Sequence, residues 1–429
     1  MVFPKRFEKG MTIKTENIRA IFKQKFLIVI DTLYLSFLIH IRFNYQLMSR
    51  QFTPIIRHFQ IVRPRFILKQ SASLDWLAKA HSIAIKRPPE SIETLYLKRR
   101  YSHYGCSEKR ISERGTEIED FTHMNWEKMN FFNFTHENIT KLDSRMEFYN
   151  KSVNKTFEEL FSQKNSQSKI PEYLIHVSCT GYISPSPAQR FLDKKKWGHT
   201  CDVLHLYHMG CYASLPAIKV GKALVRDSGK NITIVHNELC TLHFNPWDST
   251  PQQLVIQSLF SDGHIKYNIE QKGDQDFKSP GLKILSLKEC IIPESTDDMG
   301  WACSELNFKM NLSPHVPSKL KKHILPFLKG WLIDEGLNWE KIQNEAFFAI
   351  HPGGPRIIDN IQEELKLKTW QISHSSRVLY RFGNMSSATL PHIWEKMLNS
   401  DEVPNHSLIL SLAFGPGLSL HASLFKKTQ

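Results

Sequence analysis

The chain has 429 residues, a net charge of +14, a hydrophobic fraction of 41% and a charged fraction of 23%. That composition belongs to a globular protein and excludes a low-complexity chain, and the length asks for two domains or one duplicated domain. The basic excess points to anionic partners such as nucleic acid, a membrane surface or a phosphorylated cofactor, but no nucleic-acid-binding module is present.

In chain order, Phe26 to Ile41 is an apolar run broken by Asp31, and its sixteen residues fall short of the roughly 20 that span a bilayer. Residues 1–51 read as an N-terminal extension: an extra helix, a weak membrane contact, or a start placed upstream of a true initiator at Met48. Phe52 to Leu68 is rich in Ile, Val and Phe, as a strand is. Leu74, Leu77 and Ala78 have helical spacing. Lys86-Arg87 and Lys98-Arg99-Arg100 form either a solvated basic face or a clamp for phosphate groups. Residues 106–165 are polar, with helix-like fragments at Met146–Asn150 and Phe157–Phe161. Tyr173 to Gly181 is a strand and turn. Val203 to Tyr207 is a strand, Leu215 to Val225 a helix, and Asn231 to Leu239 a further strand. This alternation predicts βαβ units in a sheet covered on both faces. Leu320 to Trp331 is helix-like but interrupted at Pro326. Glu345–Ile350, 408–413 and 418–424 read as strands, and 359–366 and 386–398 as helices.

Cys211 lies between the Val203 strand and the Leu215 helix, where backbone N–H groups and the helix dipole favour a thiolate. The alternative reading is a small core residue. Cys179, which also ends a strand, is the rival nucleophile. His351 and Asn384 each follow an apolar run in a Gly-marked turn. A thiolate needs a proton partner, commonly His, and an enolate or oxyanion needs fixed donors, which His and an Asn amide supply. The seven cysteines are odd in number and contain no C-x-x-C pair, so neither a zinc site nor a disulfide framework is indicated, and reduced cytosolic thiols are expected.

Four stretches resemble one family. His351-Pro-Gly-Gly-Pro-Arg-Ile-Ile-Asp359, Phe382-Gly-Asn384-Met-Ser-Ser-Ala388, Gly210-Cys211-Tyr-Ala213 and Ala413-Phe-Gly-Pro-Gly417 look like motifs of the type III polyketide synthases. That is the chalcone/stilbene synthase family of the thiolase superfamily, and the resemblance runs from about residue 52 to 426. It implies an α/β thiolase fold of duplicated βα halves in five αβαβα layers, with an N-terminal half at 52–280 and a C-terminal half at 281–429. It implies an acyltransferase that condenses an acyl-CoA starter with malonyl-CoA, with Cys211 carrying the acyl group and His351 and Asn384 beside it. Phe260 and Phe308 match the family's gatekeepers. His243 falls on a cavity wall where a smaller residue is common, although a satisfied core histidine fits equally well. Cys179, Gly415 and Pro416 shape the wall, and Arg87, Lys98 and Arg99 fall near the segment that meets coenzyme A phosphates. The resemblance further implies a cytoplasmic homodimer with no metal, no cofactor beyond its thioester substrates and no nucleic-acid partner. Ser261 and His264-Ile-Lys-Tyr267 depart from the family pattern. Two other readings stay open: a single-condensation 3-oxoacyl synthase III-like enzyme using a carrier protein, and a non-catalytic membrane-peripheral protein.

Overall fold

The computed structural model describes residues 52–134, 140–162, 170–273, 280–354 and 356–428. The expectations for residues 1–51 lie outside the described residues. From Pro54 onward the chain forms one compact unit.

Nine strands join in the order β11-β12-β13-β8-β1-β7-β6-β4-β5. The first half supplies β1 (Phe52–Val62), β4 (Tyr173–Ser178), β5 (Asp202–Tyr207), β6 (Ile232–Glu238) and β7 (Gly263–Gly273). The second supplies β8 (Gly281–Ile291), β11 (Phe347–Ile350), β12 (Leu408–Gly415) and β13 (Ser419–Thr428). Within each half the order repeats. β4 is parallel to β6, which is antiparallel to β7; β11 is parallel to β12, which is antiparallel to β13. β5 extends the first half at the outer edge. The halves meet where β1 and β8 pair at Ile55–Lys283 and Ile56–Leu282. Two hairpin-like pairs lie apart: β2 (Phe66–Lys69) with β3 (Glu113–Thr116), and β9 (Met299–Cys303) with β10 (Phe308–Leu312).

Three apolar clusters hold the layers together, the central one spanning both faces of the middle helices. The helices α1 (Gln70–Ala84), α2 (Ile92–Tyr104), α3 (Leu142–Ser162), α4 (Pro187–Lys195) and α6 (Pro251–Leu259) cover the outer face of the first half. α5 (Ser214–Ser228) and α11 (Thr389–Leu398) share a central cluster with strands of both halves. α7 (Val316–Asp334), α8 (Trp339–Glu345), α9 (Ile357–Glu364) and α10 (Thr369–Phe382) cover the second half. In the central layer Ile218, Val225, Ile393 and Trp394 are completely buried, each contributing about 1.5–3 kcal/mol or more of transfer free energy. The five-layered arrangement agrees with the expectation.

Three local expectations are corrected. The run from Phe52 to Leu68 is two strands, because Pro64 removes a ladder donor between them. Pro326 does not interrupt α7, since Leu320, Ile324, Leu328, Trp331 and Leu332 all bury on one face around it and outweigh one missing backbone bond. The fragments at 146 and 157 belong to one 21-residue helix, α3. Its Asn and Ser residues dilute the sequence signal, but Met146, Tyr149, Val153, Phe157 and Leu160 bury at helical spacing.

Candidate active site

The repeat brings equivalent chain positions together. α5 precedes β6 and α11 precedes β12, so the Cys211 and Asn384 turns stand at the entries of matched helices. Likewise β4 runs into Cys179 and β11 into His351.

Gly210 takes a φ of +89°, and a Cβ there would approach Pro416 Cδ to 2.6 Å. The turn therefore needs glycine. A Cβ on Gly415 would meet the Tyr212 ring at 2.2 Å, so Gly415 and Pro416 press against the nucleophile turn. Cys211 is 8% exposed, and its thiol points at Ser386 Oγ, 3.9 Å away. Burial pushes the thiol up to about 12, and the nearby Glu238 carboxylate adds to this, while Ser386 and the Asn384 amide act in the opposite sense. The expected stabilisation of the thiolate by the helix start is thus outweighed in the resting site.

His351 is fully buried, and burial lowers its imidazole to about 3. Neither of its ring nitrogens has a hydrogen-bond partner among the described residues. Gly353 lies against the ring, with a Cβ position 3.6 Å from Cδ2. Asn384 is held by its backbone, donating N–H to Leu259 at 3.0 Å and accepting from Ser261 at 2.9 Å. Its Oδ1 accepts the Ser386 N–H at 2.9 Å and the Thr389 hydroxyl at 3.3 Å. That fixes the amide orientation and leaves the buried Nδ2 donor unpartnered. Buried polar groups are nearly always paired, so the unpaired atoms of His351 and Asn384 call for an explanation, and the Asn384 amide acts directly on the Cys211 thiol.

Cys179 is otherwise engaged. Its thiol donates to the Gly210 carbonyl at 3.1 Å and accepts the Gly210 N–H at 3.0 Å. Burial and the neighbouring Glu238 raise it well above the usual thiol range. It braces the turn that carries Cys211.

Two spaces reach Cys211. The inner one is a cavity of about 70 Å³ walled by Cys179, His243, Phe260, Trp301, Phe308 and Ser386, among others. The outer one is a cleft of about 950 Å³ lined by residues that include Gly105, Val255, Leu312, Gly354 and Arg356. Cys211, Met299 and Met310 line both. Phe260 and Phe308 thus stand on the inner wall, and the two methionines mark the junction. Phe308 is 2% exposed and stacks on His243 at 4.5 Å and 13°. His243 Nδ1 accepts the Phe308 N–H at 3.1 Å, which makes Nε2 the donor to the Thr180 carbonyl at 2.8 Å. Both readings of His243 therefore hold at once: it walls the cavity and it is a satisfied core histidine.

The basic segment is largely committed elsewhere. Lys98 pairs with Asp75, and Arg87 with Glu93 at 3.7 Å. Arg99 is exposed. None of the three lines the outer cleft, although His103, Tyr104 and Gly105 at the end of α2 do.

Sequence reasoning missed Glu238. It is a fully buried carboxylate that accepts the Cys179 N–H at 2.9 Å, the Thr180 hydroxyl at 2.8 Å and the Ser387 hydroxyl. Burial raises its pKa. A carboxylate inside the strand run Asn231–Leu239 was the available signal. Trp301 was missed as well; its indole N–H donates to the Cys179 carbonyl at 2.6 Å.

The repeated βαβ halves are those of the thiolase fold, and relatives of the chain mark it as an acyl-transferring enzyme. Residues 283–428 match the family described as chalcone and stilbene synthases, C-terminal domain. The chain is 28% identical over 259 residues to type III polyketide synthase C of Arabidopsis thaliana, covering 59% of this chain and 67% of that one. It is 27% identical over 271 residues to a putative chalcone synthase of Bacillus subtilis, covering 62% and 73%. The fold superposes on PKS-I of the brown alga Ectocarpus siliculosus with a TM-score of 0.74 at 20% identity, covering 88% of this chain and 99% of that one. It superposes on 1,3,6,8-tetrahydroxynaphthalene synthase of Streptomyces coelicolor with a TM-score of 0.72 at 19% identity, covering 87% and 99%. The C-terminal third of the chain thus matches the chalcone and stilbene synthase family, and the chain is similar to type III polyketide synthases in sequence and fold.

Proposed function

We propose that the enzyme joins an acyl-CoA starter to malonyl-CoA units through an acyl thioester on Cys211. The carrying observation is the Cys211 thiol, which lines both the outer cleft and the inner cavity and lies 3.9 Å from Ser386 Oγ in the Asn384 turn, with Gly353 of the His351 turn on the same cleft. Cys211 gives its proton to neutral His351 as sulfur attacks the starter carbonyl, and the coenzyme A thiolate leaves and takes a proton. Malonyl thioester then places its carbonyl oxygen between His351 and the Asn384 amide. Loss of carbon dioxide leaves an enolate held by those donors. The enolate carbon attacks the acyl carbonyl, a carbon–carbon bond forms, and the Cys211 C–S bond breaks. This chemistry asks for no cofactor beyond the thioesters. The product is a pyrone, resorcinol or related polyketide. The narrow inner cavity supports few extensions.

Phosphates of coenzyme A are assigned to Arg87, Lys98 and Arg99, on the segment whose end lines the cleft, together with Arg356. Residues 52–280 and 281–429 are taken as the two halves, and the reduced thiols fit a cytoplasmic setting; no helix among the described residues is long and apolar enough to cross a membrane. A second copy is assigned to the open edge of β5, where Leu204 is 39% exposed and a groove of about 570 Å³ runs past Leu206, Met209, Val220 and Ile291. Sedimentation should give twice the chain mass of 50.0 kDa; a monomer at micromolar concentration rejects the pairing.

Mass spectrometry of products from a panel of acyl-CoAs with malonyl-CoA tests the reading as a whole, which an absence of condensation products from every starter would refute. Asn384→Ala should slow malonyl decarboxylation by about 10² or more, the usual loss for an oxyanion donor. An unchanged rate removes Asn384 from the mechanism.

His243→Ala should lengthen products by at least one extension while leaving acylation nearly intact. It also orphans the Phe308 N–H and the Thr180 carbonyl, so the variant should lose about 2–4 kcal/mol of stability. A destabilised variant with the parental products assigns His243 to the core alone.

A further inference from the structure

The condensation reading leaves one surface unexplained. Ile85, Ile92, Leu95 and Tyr96 are 52%, 77%, 58% and 62% exposed. Ile92, Leu95, Tyr96 and Arg99 follow at three- and four-residue spacing, so they form one stripe along α2, opposite the buried Thr94, Leu97 and Tyr101. Trp247, 39% exposed, donates its indole N–H to the Ala84 carbonyl at 3.2 Å. That bond places Trp247 beside Ile85. A single exposed apolar side chain is ordinary, but three on one helix stripe, with two more exposed at the end of the preceding helix, are not.

Cations frame this patch. Between Ile85 and Gly105 the sequence carries Lys86, Arg87, Lys98, Arg99 and Arg100 against Glu90 and Glu93. Lys86, Arg99 and Arg100 have no carboxylate partner among the described residues. Arg100 lies over the Tyr96 ring at 5.6 Å and the Tyr104 ring at 5.9 Å. Tyr and Trp with aliphatic neighbours, rimmed by Lys and Arg, are the composition that settles at the boundary of acyl chains and anionic headgroups.

We infer that this face of α2 docks on an anionic lipid surface. Ile92, Leu95, Tyr96 and Trp247 enter the headgroup boundary, and Lys86 and Arg100, which the coenzyme A assignment does not use, meet lipid phosphates. The same helix ends at His103–Gly105 on the outer cleft, so docking sets the cleft mouth close to the bilayer, within reach of acyl thioesters that partition into it. The contact rests on α2 and Trp247 alone, and it does not depend on the condensation chemistry.

The test is co-sedimentation of the full chain with phosphatidylcholine vesicles, with and without about 30% phosphatidylserine, at about 50 mM and about 500 mM salt. The expected result is binding to the serine-containing vesicles that weakens at high salt. The triple variant Ile92→Gln, Leu95→Gln, Tyr96→Gln should bind at least tenfold more weakly, with an unchanged melting temperature and unchanged turnover of a short, soluble acyl-CoA. Failure of the parent chain to bind, or equal binding to neutral vesicles, overturns the inference. Full binding by the triple variant also overturns it and assigns the contact to another segment. Loss of turnover in the parent refutes the condensation reading and leaves the vesicle result standing.

Discussion

Cys211→Ala should give a folded protein that takes up no acyl group and releases no condensation product. The thiol supplies the bond on which every later step depends, so the loss should be complete within detection rather than partial. Cys179→Ala is the informative partner. Its sulfur donates to and accepts from the Gly210 backbone at 3.1 and 3.0 Å; without it a buried N–H and C=O lose their partner, at about 1–3 kcal/mol. Cys179→Ala should therefore melt earlier yet still form the acyl-enzyme, as intact-mass measurement after exposure to an acyl-CoA will show. An acylated Cys211→Ala together with an unacylated Cys179→Ala would exchange the assignments.

Acid should unfold this protein well before its surface charge alone would. His176, His243 and His351 are buried, and burial lowers each to about 3. Their unfolded value is near 6.5, so below that pH the unfolded chain binds more protons and stability falls as pH drops toward 3. Between pH 7.5 and 4.5 the three should remove about 8 kcal/mol. Asp262 acts in the other direction. Burial raises it to about 7, so its protonation in the folded state returns about 3 kcal/mol over the same interval. For these four groups together the loss is on the order of 5 kcal/mol, and the buried His236 and His392, also lowered by burial, act in the same direction. Urea unfolding at the two pH values measures it, and equal midpoints would mean that these histidines are not held neutral by the fold.

What the sequence revealed was local. The Cys211, His351 and Asn384 turns each end a strand-like run, and glycine at 210, 353 and 383 punctuates them, so the elements that carry them were readable residue by residue. Other features depend on contacts between distant segments. The helix from Leu142 to Ser162 forms because its apolar face meets Gly181 and Phe191, although its own signal is broken by polar residues. Lys98 reads as a free cation until Asp75 is placed beside it. His243 offers two readings in sequence, and only the backbones of Thr180 and Phe308 show that both apply. The thiolate expected at Cys211 followed from the strand–helix junction, which reports the direction of the dipole but not how much water the fold removes.

Because α5 and α11 pack in one cluster with strands of both halves, the distances within the proposed site are also a measure of how those halves register. Cys211 travels with one half, and His351 and Asn384 with the other. A slide of a few tenths of an ångström at the Trp394 layer, too small to register in a melting curve, would change the reach between sulfur and imidazole. The central layer therefore has two duties at once: it holds the fold together and it sets the register between the Cys211 turn and the Asn384 turn.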